Sequence, residues 1–175
     1  QFVEERSGEF QLISIAVDVQ AAAPRRYAES TLGAFPTLVD SENLFGETFG
    51  FKAIPNGVLI GADGRLDGLV AGGFEIRRDE TRELVERWLD SNAALPELEA
   101  EHEWSPEALR LFREAGAALR RGEPDGALTL LKQAFPLEPD NLIIRKQMWA
   151  LEHPEHFYDG KVDYDWQREQ LAAGR

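Results

Sequence analysis

The chain has 175 residues, of which 43% are hydrophobic and 10% aromatic, so it can form a packed core. Its net charge of −13 argues against nucleic-acid and anionic membrane surfaces, because both need clustered Lys and Arg. The absence of cysteine excludes disulfides, thiolate metal sites and thiol nucleophiles within these residues. No run approaches the roughly 20 apolar residues of a membrane span, and the acidic opening QFVEERSGEF lacks the apolar core of a signal peptide. We therefore expect a soluble globular protein.

The first half of the chain alternates predicted strands and helices. In chain order these are a strand over 10–19, a helix over 23–33, an extended piece over 35–40, a helix over 41–51, two strands within 56–74, and a helix over 75–91. The first strand is rich in β-branched residues, which is typical of a strand buried on both faces of a sheet. Ser41 is the predicted cap of the second helix, and Asp63-Gly64 is a strong hairpin signal. This order predicts an α/β fold, with a mixed sheet and flanking helices.

The second half is predicted to be helical. Residues 92–104 are acidic and have no hydrophobic period, which indicates a linker. Ser105 followed by Pro106 is typical of a helix start, and the stretch RRGEPDG separates two amphipathic helices. Pro136 should end the second of these near Phe135, and a third helix begins near residue 141. The tail is expected to pack on these helices through four aromatic residues, namely Phe157, Tyr158, Tyr164 and Trp166.

Residues 1–91 resemble the thioredoxin-like superfamily, in particular its TlpA/ResA-type thiol-disulfide oxidoreductases. The motifs that carry the resemblance are a strand ending in AVDV, the stretch FPTLVD, a helix ending in FGFKAIP, and a strand pair beginning GVLIGADGRL. The resemblance implies a central first strand and a Cys-x-x-Cys pair at the start of the first helix, neither of which is in this sequence. We therefore expect a longer natural protein with the cysteine pair upstream of Gln1. The missing strand would lie between residues 12–18 and 57–62, so direct pairing of these two segments would count against the resemblance.

The resemblance also implies a substrate-binding loop. Pro55 matches the family's cis-proline, whose loop faces the redox pair and binds the extended chain of the substrate through its backbone. Ala53, Ile54 and Pro55 are accordingly the predicted substrate-binding residues, with no catalytic residue in this chain and no cofactor or metal. The chain departs from the family at Asn56-Gly57, where Thr or Ser is usual, and at Gln20-Ala21, where some members carry an acidic residue. Both departures weigh against ordinary reductase activity.

Residues 105–141 resemble a tetratricopeptide repeat. Small and apolar residues fall at spacings like those of its signature, and the stretch EPDN resembles its usual ending; the matching positions are Ala115, Ala127, Leu131, Ala134 and Pro139. Small residues let two antiparallel helices approach closely, and about three repeats are normally needed for stability. We therefore expect residues 105–175 to be stabilised by packing against the first domain. A generic helical hairpin is the alternative interpretation.

A divalent-metal site in the tail is a weaker hypothesis. His153 and His156 are three residues apart, with Glu155 and Asp159 nearby. The helix is interrupted at Pro154 and no third ligand is fixed by the spacing, so polar surface residues are the favoured interpretation.

Three further patterns have ordinary structural interpretations. Asp163 and Asp165 would form an acid–base pair only in a cleft, and a solvated tail is favoured. Gly72-Gly73 lacks a full phosphate-binding fingerprint and is expected to allow a bend at the end of a strand. The four tryptophans are scattered over helices and are expected to pack rather than to form a binding face; they are Trp88, Trp104, Trp149 and Trp166.

Three functions follow as hypotheses. The first is a thiol-disulfide oxidoreductase, or redoxin, that acts on a protein disulfide or thiol and holds a protein partner through the helical region. The second is a catalytically inactive thioredoxin-like binding module, and the third is peroxiredoxin-like peroxide reduction by a single upstream cysteine. The resemblance points to an extracytoplasmic compartment in bacteria, and a cytoplasmic one stays open.

Overall fold

The computed structural model describes residues 2–19, 24, 29, 35–91, 103–159 and 162–174. Helices predominate within these ranges, and the strands form two small sheets, so the fold is α/β with accompanying helices. The elements of the first half are α1 (Phe2–Glu5), β1 (Ser14–Ala16), β2 (Thr37–Val39), α2 (Leu44–Phe49), β3 (Gly57–Ile60), β4 (Leu66–Val70) and α3 (Asp79–Ser91). Most of the predicted helix 23–33 and of the linker lies outside the described residues. No described helix is long and apolar enough to cross a membrane.

The first sheet consists of β1 and β2, which pair in parallel. Ser14 lies opposite Thr37, and Ala16 lies opposite Val39. All three residues of β1 are only half-buried, so the prediction of a strand buried on both faces was wrong. The reason is that β1 has a single neighbouring strand among the described residues, and burial on both faces requires a wider, covered sheet.

The second sheet is the antiparallel hairpin of β3 and β4. Val58 lies opposite Leu69, and the register shifts between Leu59 and Ile60. Gly64 takes a positive φ of 81° in the connecting turn, as the Asp63-Gly64 signal predicts. The described strands thus form two separate sheets instead of the predicted single mixed sheet, because none of them connects β1 to β3.

Helix α2 begins at Leu44, three residues after the predicted cap at Ser41. The Asp40 carboxylate accepts hydrogen bonds from the backbone N–H groups of Leu44 (2.8 Å) and Phe45 (2.9 Å). Asn43 has a left-handed φ of 57° and makes no capping bond with its side chain. The prediction for Ser41 was wrong because a carboxylate one residue earlier already satisfies the first free amides of the helix.

The second half forms a helical unit, the name used here for the described residues of 105–174. Its elements are α4 (Pro106–Arg120), α5 (Pro124–Ala134), a 3₁₀ turn (Phe135–Leu137), α6 (Leu142–Glu152), α7 (Glu155–Tyr158) and α8 (Tyr164–Ala172). The predicted start at Ser105 is confirmed, since its hydroxyl accepts the N–H of Ala108 at 3.4 Å. Helix α5 ends at Ala134, and Pro136 lies in the 3₁₀ turn that follows, as predicted.

The main core lies between α4, α5 and α6. Four of the positions expected to permit close helix packing are fully buried there, namely Ala115, Ala127, Leu131 and Ala134. Val19, which follows β1, belongs to the same buried cluster. At the surface of the helical unit, the Arg113 guanidinium of α4 pairs with the Glu47 carboxylate of α2 at 2.6 Å. The helical unit therefore shares its core and its surface contacts with the first half of the chain.

The tail packs onto α6 mainly through Trp166. Its ring stands edge-on to Trp149, with 5.5 Å between ring centroids, and stacks parallel to His156 at 4.3 Å. The Asp163 carboxylate caps α8 by accepting the Trp166 N–H at 2.9 Å. Tyr164 is 62% exposed, so the prediction that it packs on the helices was wrong. It lies in the first turn of α8, whose inward contacts are made by Trp166.

Candidate functional site

The predicted substrate-binding residues form an exposed loop that leads into β3. The peptide bond between Ile54 and Pro55 is cis, as the resemblance implies. The Ile54 side chain is 45% exposed to solvent. Within the described ranges, neither the N–H nor the C=O of Ile54 has a hydrogen-bond partner. The loop thus presents one apolar side chain beside two free backbone groups.

The loop is braced on its C-terminal side by Asn56. The Asn56 side-chain amide donates to the Ala53 carbonyl at 2.7 Å, and its Oδ1 accepts the Gly72 N–H at 2.7 Å. The Pro55 carbonyl accepts the N–H of Phe74 at 3.1 Å. Asn56 stands out in the sequence only as a departure from the family pattern, but in the structure it is the central brace of the loop.

Gly72 also explains the glycine pair after β4. Its φ of +70° lies in the left-handed region that favours glycine. In this conformation its amide reaches Asn56, so that amide is already occupied by a side-chain oxygen. The pair therefore forms the expected bend at the strand end, and the Gly72 amide holds the loop through Asn56.

The loop is held on its N-terminal side by two carbonyl groups. The Phe51 carbonyl accepts the indole Nε1–H of Trp104 at 2.9 Å, and the Lys52 carbonyl accepts the backbone N–H of Ile143 at 3.2 Å. Both Trp104 and Phe51 are buried. Trp104 belongs to the predicted linker, yet the structure uses it as a packed anchor next to the loop.

An ion pair between a partly buried lysine and a buried glutamate reinforces this attachment. The Lys52 ammonium lies 2.7 Å from Oε2 of Glu138, whose other oxygen accepts the backbone N–H of Ser105 at 2.6 Å. Glu138 is only 8% exposed, and both of its carboxylate oxygens are used. Sequence patterns could not identify this pair, because its members lie in different predicted domains, and the motifs that contain them, FGFKAIP and EPDN, give no reason to pair them.

The helical unit also forms hydrogen bonds with the residues that follow β1. The Gln147 side chain accepts the Val19 N–H at 3.2 Å and donates to the Val17 carbonyl at 3.3 Å. The Tyr158 hydroxyl donates to the Asp18 carboxylate at 3.4 Å. Burial, and then the negative charge of Asp18, raise the pKa of Tyr158 well above its ordinary value. The helical unit is thus attached both after β1 and before the loop that enters β3.

The histidines of the tail are brought together, but in a packing role. The rings of His153 and His156 lie 6.2 Å apart, and Nδ1 of His156 is 3.1 Å from the Asp163 carboxylate. The bond from the Trp166 amide, and then His156, lower the pKa of Asp163 below its ordinary value. In the part of the chain that the structure describes, no three His, Asp or Glu side chains are arranged to hold a metal ion.

The remaining candidates are also occupied by structural contacts. Asp165 pairs with Arg168 on the exposed surface of α8 and forms no acid–base pair with Asp163. Trp88 donates its indole N–H to the Asp67 carboxylate at 2.9 Å, which ties α3 to β4. The tryptophans thus contribute to packing, as the sequence indicates, with Trp149 and Trp166 in contact with each other and Trp88 and Trp104 elsewhere.

Comparison with protein-family models, with curated proteins and with solved structures finds no match for this chain. The functional assignment therefore depends on the loop at Ala53, Ile54 and Pro55 and on the motifs that surround it.

Proposed function

We propose that this chain is the substrate-binding part of a thioredoxin-like thiol-disulfide oxidoreductase whose cysteine pair lies upstream of Gln1. The observation that carries the proposal is Ile54, which combines an exposed side chain with an unpaired N–H and C=O among the described residues. An extended peptide can bind such a backbone by main-chain hydrogen bonds, as in strand addition. Because the loop is anchored at both ends, little ordering entropy remains to oppose that binding.

The arrangement of the strands supports the proposal. Residues 14–16 pair with 37–39, and 57–60 pair with 66–70, which leaves one edge of β1 and one edge of β3 without a described partner. One added strand between these edges would satisfy both rows of backbone groups. It would also join the two sheets into a mixed sheet, with the new strand in the position that the resemblance gives to the family's first strand.

The proposed chemistry is disulfide exchange. The first cysteine thiolate forms a bond with one sulfur of the substrate disulfide, and the other substrate sulfur leaves as a thiolate. The second cysteine, as its thiolate, then attacks the mixed disulfide, so that the substrate leaves as a dithiol and the cysteine pair becomes a disulfide. Two electrons pass to the substrate, and a small dithiol reductant restores the pair. In this scheme Ile54 holds the substrate backbone and makes no covalent bond.

Insulin-disulfide reduction by the natural full-length protein, with dithiothreitol as reductant, tests the proposal. We expect two reactive thiols per molecule and thiol-dependent turnover. Ile54→Asp should raise the KM for the substrate, because it places a charge at the proposed contact. Ile60→Asp is the matched control, since Ile60 is an exposed isoleucine at the far end of β3. Absence of thiol-dependent turnover would overturn the proposal.

A catalytically inactive thioredoxin-like binding module is the second candidate. The observation that favours it is the absence of cysteine from all 175 residues. It predicts no reactive thiol in the natural protein and a protein partner whose binding is weakened by Ile54→Asp. A count of free thiols on the natural protein therefore separates the two candidates.

A further inference from the structure

We propose that Glu138 is a positioning residue that couples the helical unit to the loop at Ala53–Asn56 and thereby sets substrate affinity. The part concerning substrate rests on the proposed function, whereas the coupling itself rests on contacts alone. In this arrangement the helical unit is a fixed support of the loop as well as a surface for a partner.

The first step is the fixed start of the loop. Two successive carbonyl groups, of Phe51 and Lys52, accept hydrogen bonds from a buried indole and from the first turn of α6. Neither donor can move without the helical unit, because one belongs to a core tryptophan and the other to a helix backbone. The backbone position of the next residue, Ala53, is therefore fixed relative to the helical unit.

The second step is the role of Glu138 as a junction. One of its oxygens holds the amide of Ser105 at the start of α4, and the other holds the ammonium of Lys52. Glu138 is buried and the Lys52 side chain is 19% exposed, so removing either member leaves the other charge without its partner in a poorly solvated place, which is unfavourable. A change at Glu138 is therefore transmitted to Lys52, one residue before the loop.

The third step is the shared attachment on α6. The Ile143 amide binds the Lys52 carbonyl, and the Gln147 side chain, one helical turn later, binds the chain after β1. A single helix thus sets the position of both segments. A partner that displaces α6 is expected to loosen the loop and weaken substrate binding.

Hydrogen–deuterium exchange on the 175-residue chain tests the coupling. Glu138→Gln keeps an acceptor for the Ser105 amide but loses the ion pair, and Lys52→Met removes the same pair from the other side. Both should speed exchange of the Gly72 and Phe74 amides, which are hydrogen-bonded to Asn56 and Pro55 of the loop, by about tenfold, while the amides of α4 and α5 change little. Exchange in the double variant should be no faster than in either single variant, because all three variants lose the same ion pair.

Glu107→Gln is the matched control, since among the described residues Glu107 pairs only with Arg110, on the exposed face of α4. It should leave exchange of the Gly72 and Phe74 amides unchanged. Unchanged exchange in Glu138→Gln would overturn the coupling. Faster exchange in Glu138→Gln but not in Lys52→Met would also overturn it, because the effect would then act through the start of α4.

Steady-state kinetics on the full-length protein test the effect on substrate. Glu138→Gln should raise the KM for a disulfide peptide about threefold to tenfold, with little change in kcat and in the rate of thiol alkylation. An unchanged KM in an active protein would overturn the role in substrate affinity. An inactive natural protein would overturn the proposed function and the role in substrate affinity with it, and the exchange experiment would still decide the coupling.

Discussion

Asn141 offers a quantitative test of how α6 is fixed beside the loop. Its side chain is fully buried, and Oδ1 accepts the N–H groups of Ile143 (3.1 Å) and Ile144 (3.2 Å). Asn141→Ala removes this cap. The Ile143 amide keeps the Lys52 carbonyl, so one buried amide, that of Ile144, is left without its side-chain partner. Loss of the cap should cost about 2 kcal/mol, which for a chain of this length corresponds to a decrease in Tm of roughly 4–8 °C.

The assay is urea unfolding followed by circular dichroism at 222 nm, supported by a thermal scan. Asn141→Ser is the control, because serine keeps an acceptor at the cap and removes the Asn141 Nδ2 group, which has no partner among the described residues. It should stay within about 1 kcal/mol of the wild type. A serine variant as unstable as the alanine variant, or an alanine variant that loses less than about 0.5 kcal/mol, would refute the capping role of Asn141.

Three further changes test other parts of the fold. Because the pKa of Asp163 is lowered in the fold, its carboxylate stabilises the protein above the ordinary carboxyl pKa, and this stabilisation is lost as the pH falls below that value. The Tm of Asp163→Asn should therefore decrease less than the Tm of the wild type between pH 7 and pH 3. Because the pKa of Tyr158 is raised in the fold, its neutral hydroxyl stabilises the protein below the ordinary tyrosine pKa, and this stabilisation is lost as the pH rises beyond that value. Absorbance at 295 nm should therefore show one tyrosine that ionises at a higher pH than the others. Tyr158→Phe should remove this late ionisation and part of the loss of stability at alkaline pH. Gly57→Ala would place a Cβ against the Phe74 ring and should lower the free energy of unfolding by about 1–3 kcal/mol in urea titrations, whereas a cost near zero would mean that the ring moves aside freely.

Several features were predictable from sequence because their causes are local. Ser105 and Pro106 carry the cap and first-turn chemistry of a helix start within two residues. Pro136 lacks an amide and ends α5 without help from distant residues. Asp63-Gly64 likewise encodes its own turn. In these cases the residues that cause the helix start, the helix end or the turn lie at that boundary itself.

The features that sequence analysis missed depend on distant partners. The half-burial of β1 is decided by how many strands lie beside it, which the run at 10–19 cannot reveal. Lys52 and Glu138 meet only because the helical unit folds back onto the first half of the chain. The family resemblance predicts a substrate-binding role for Ala53–Pro55, whereas Asn56, which braces these residues, stands out in the sequence only as a departure from the family pattern.

The edges of β1 and β3 that have no partner among the described strands affect how the isolated chain behaves in concentrated solution. Exposed apolar side chains lie at or beside them, including Ile13 and Ile60, so edge-to-edge contact between copies is favourable at short range. The net charge of −13 keeps copies apart at low ionic strength. Raising the salt shortens the screening length from about 10 Å at 0.1 M to about 3 Å at 1 M. Self-association should therefore increase with salt, and purification of this chain calls for dilute, low-salt buffer.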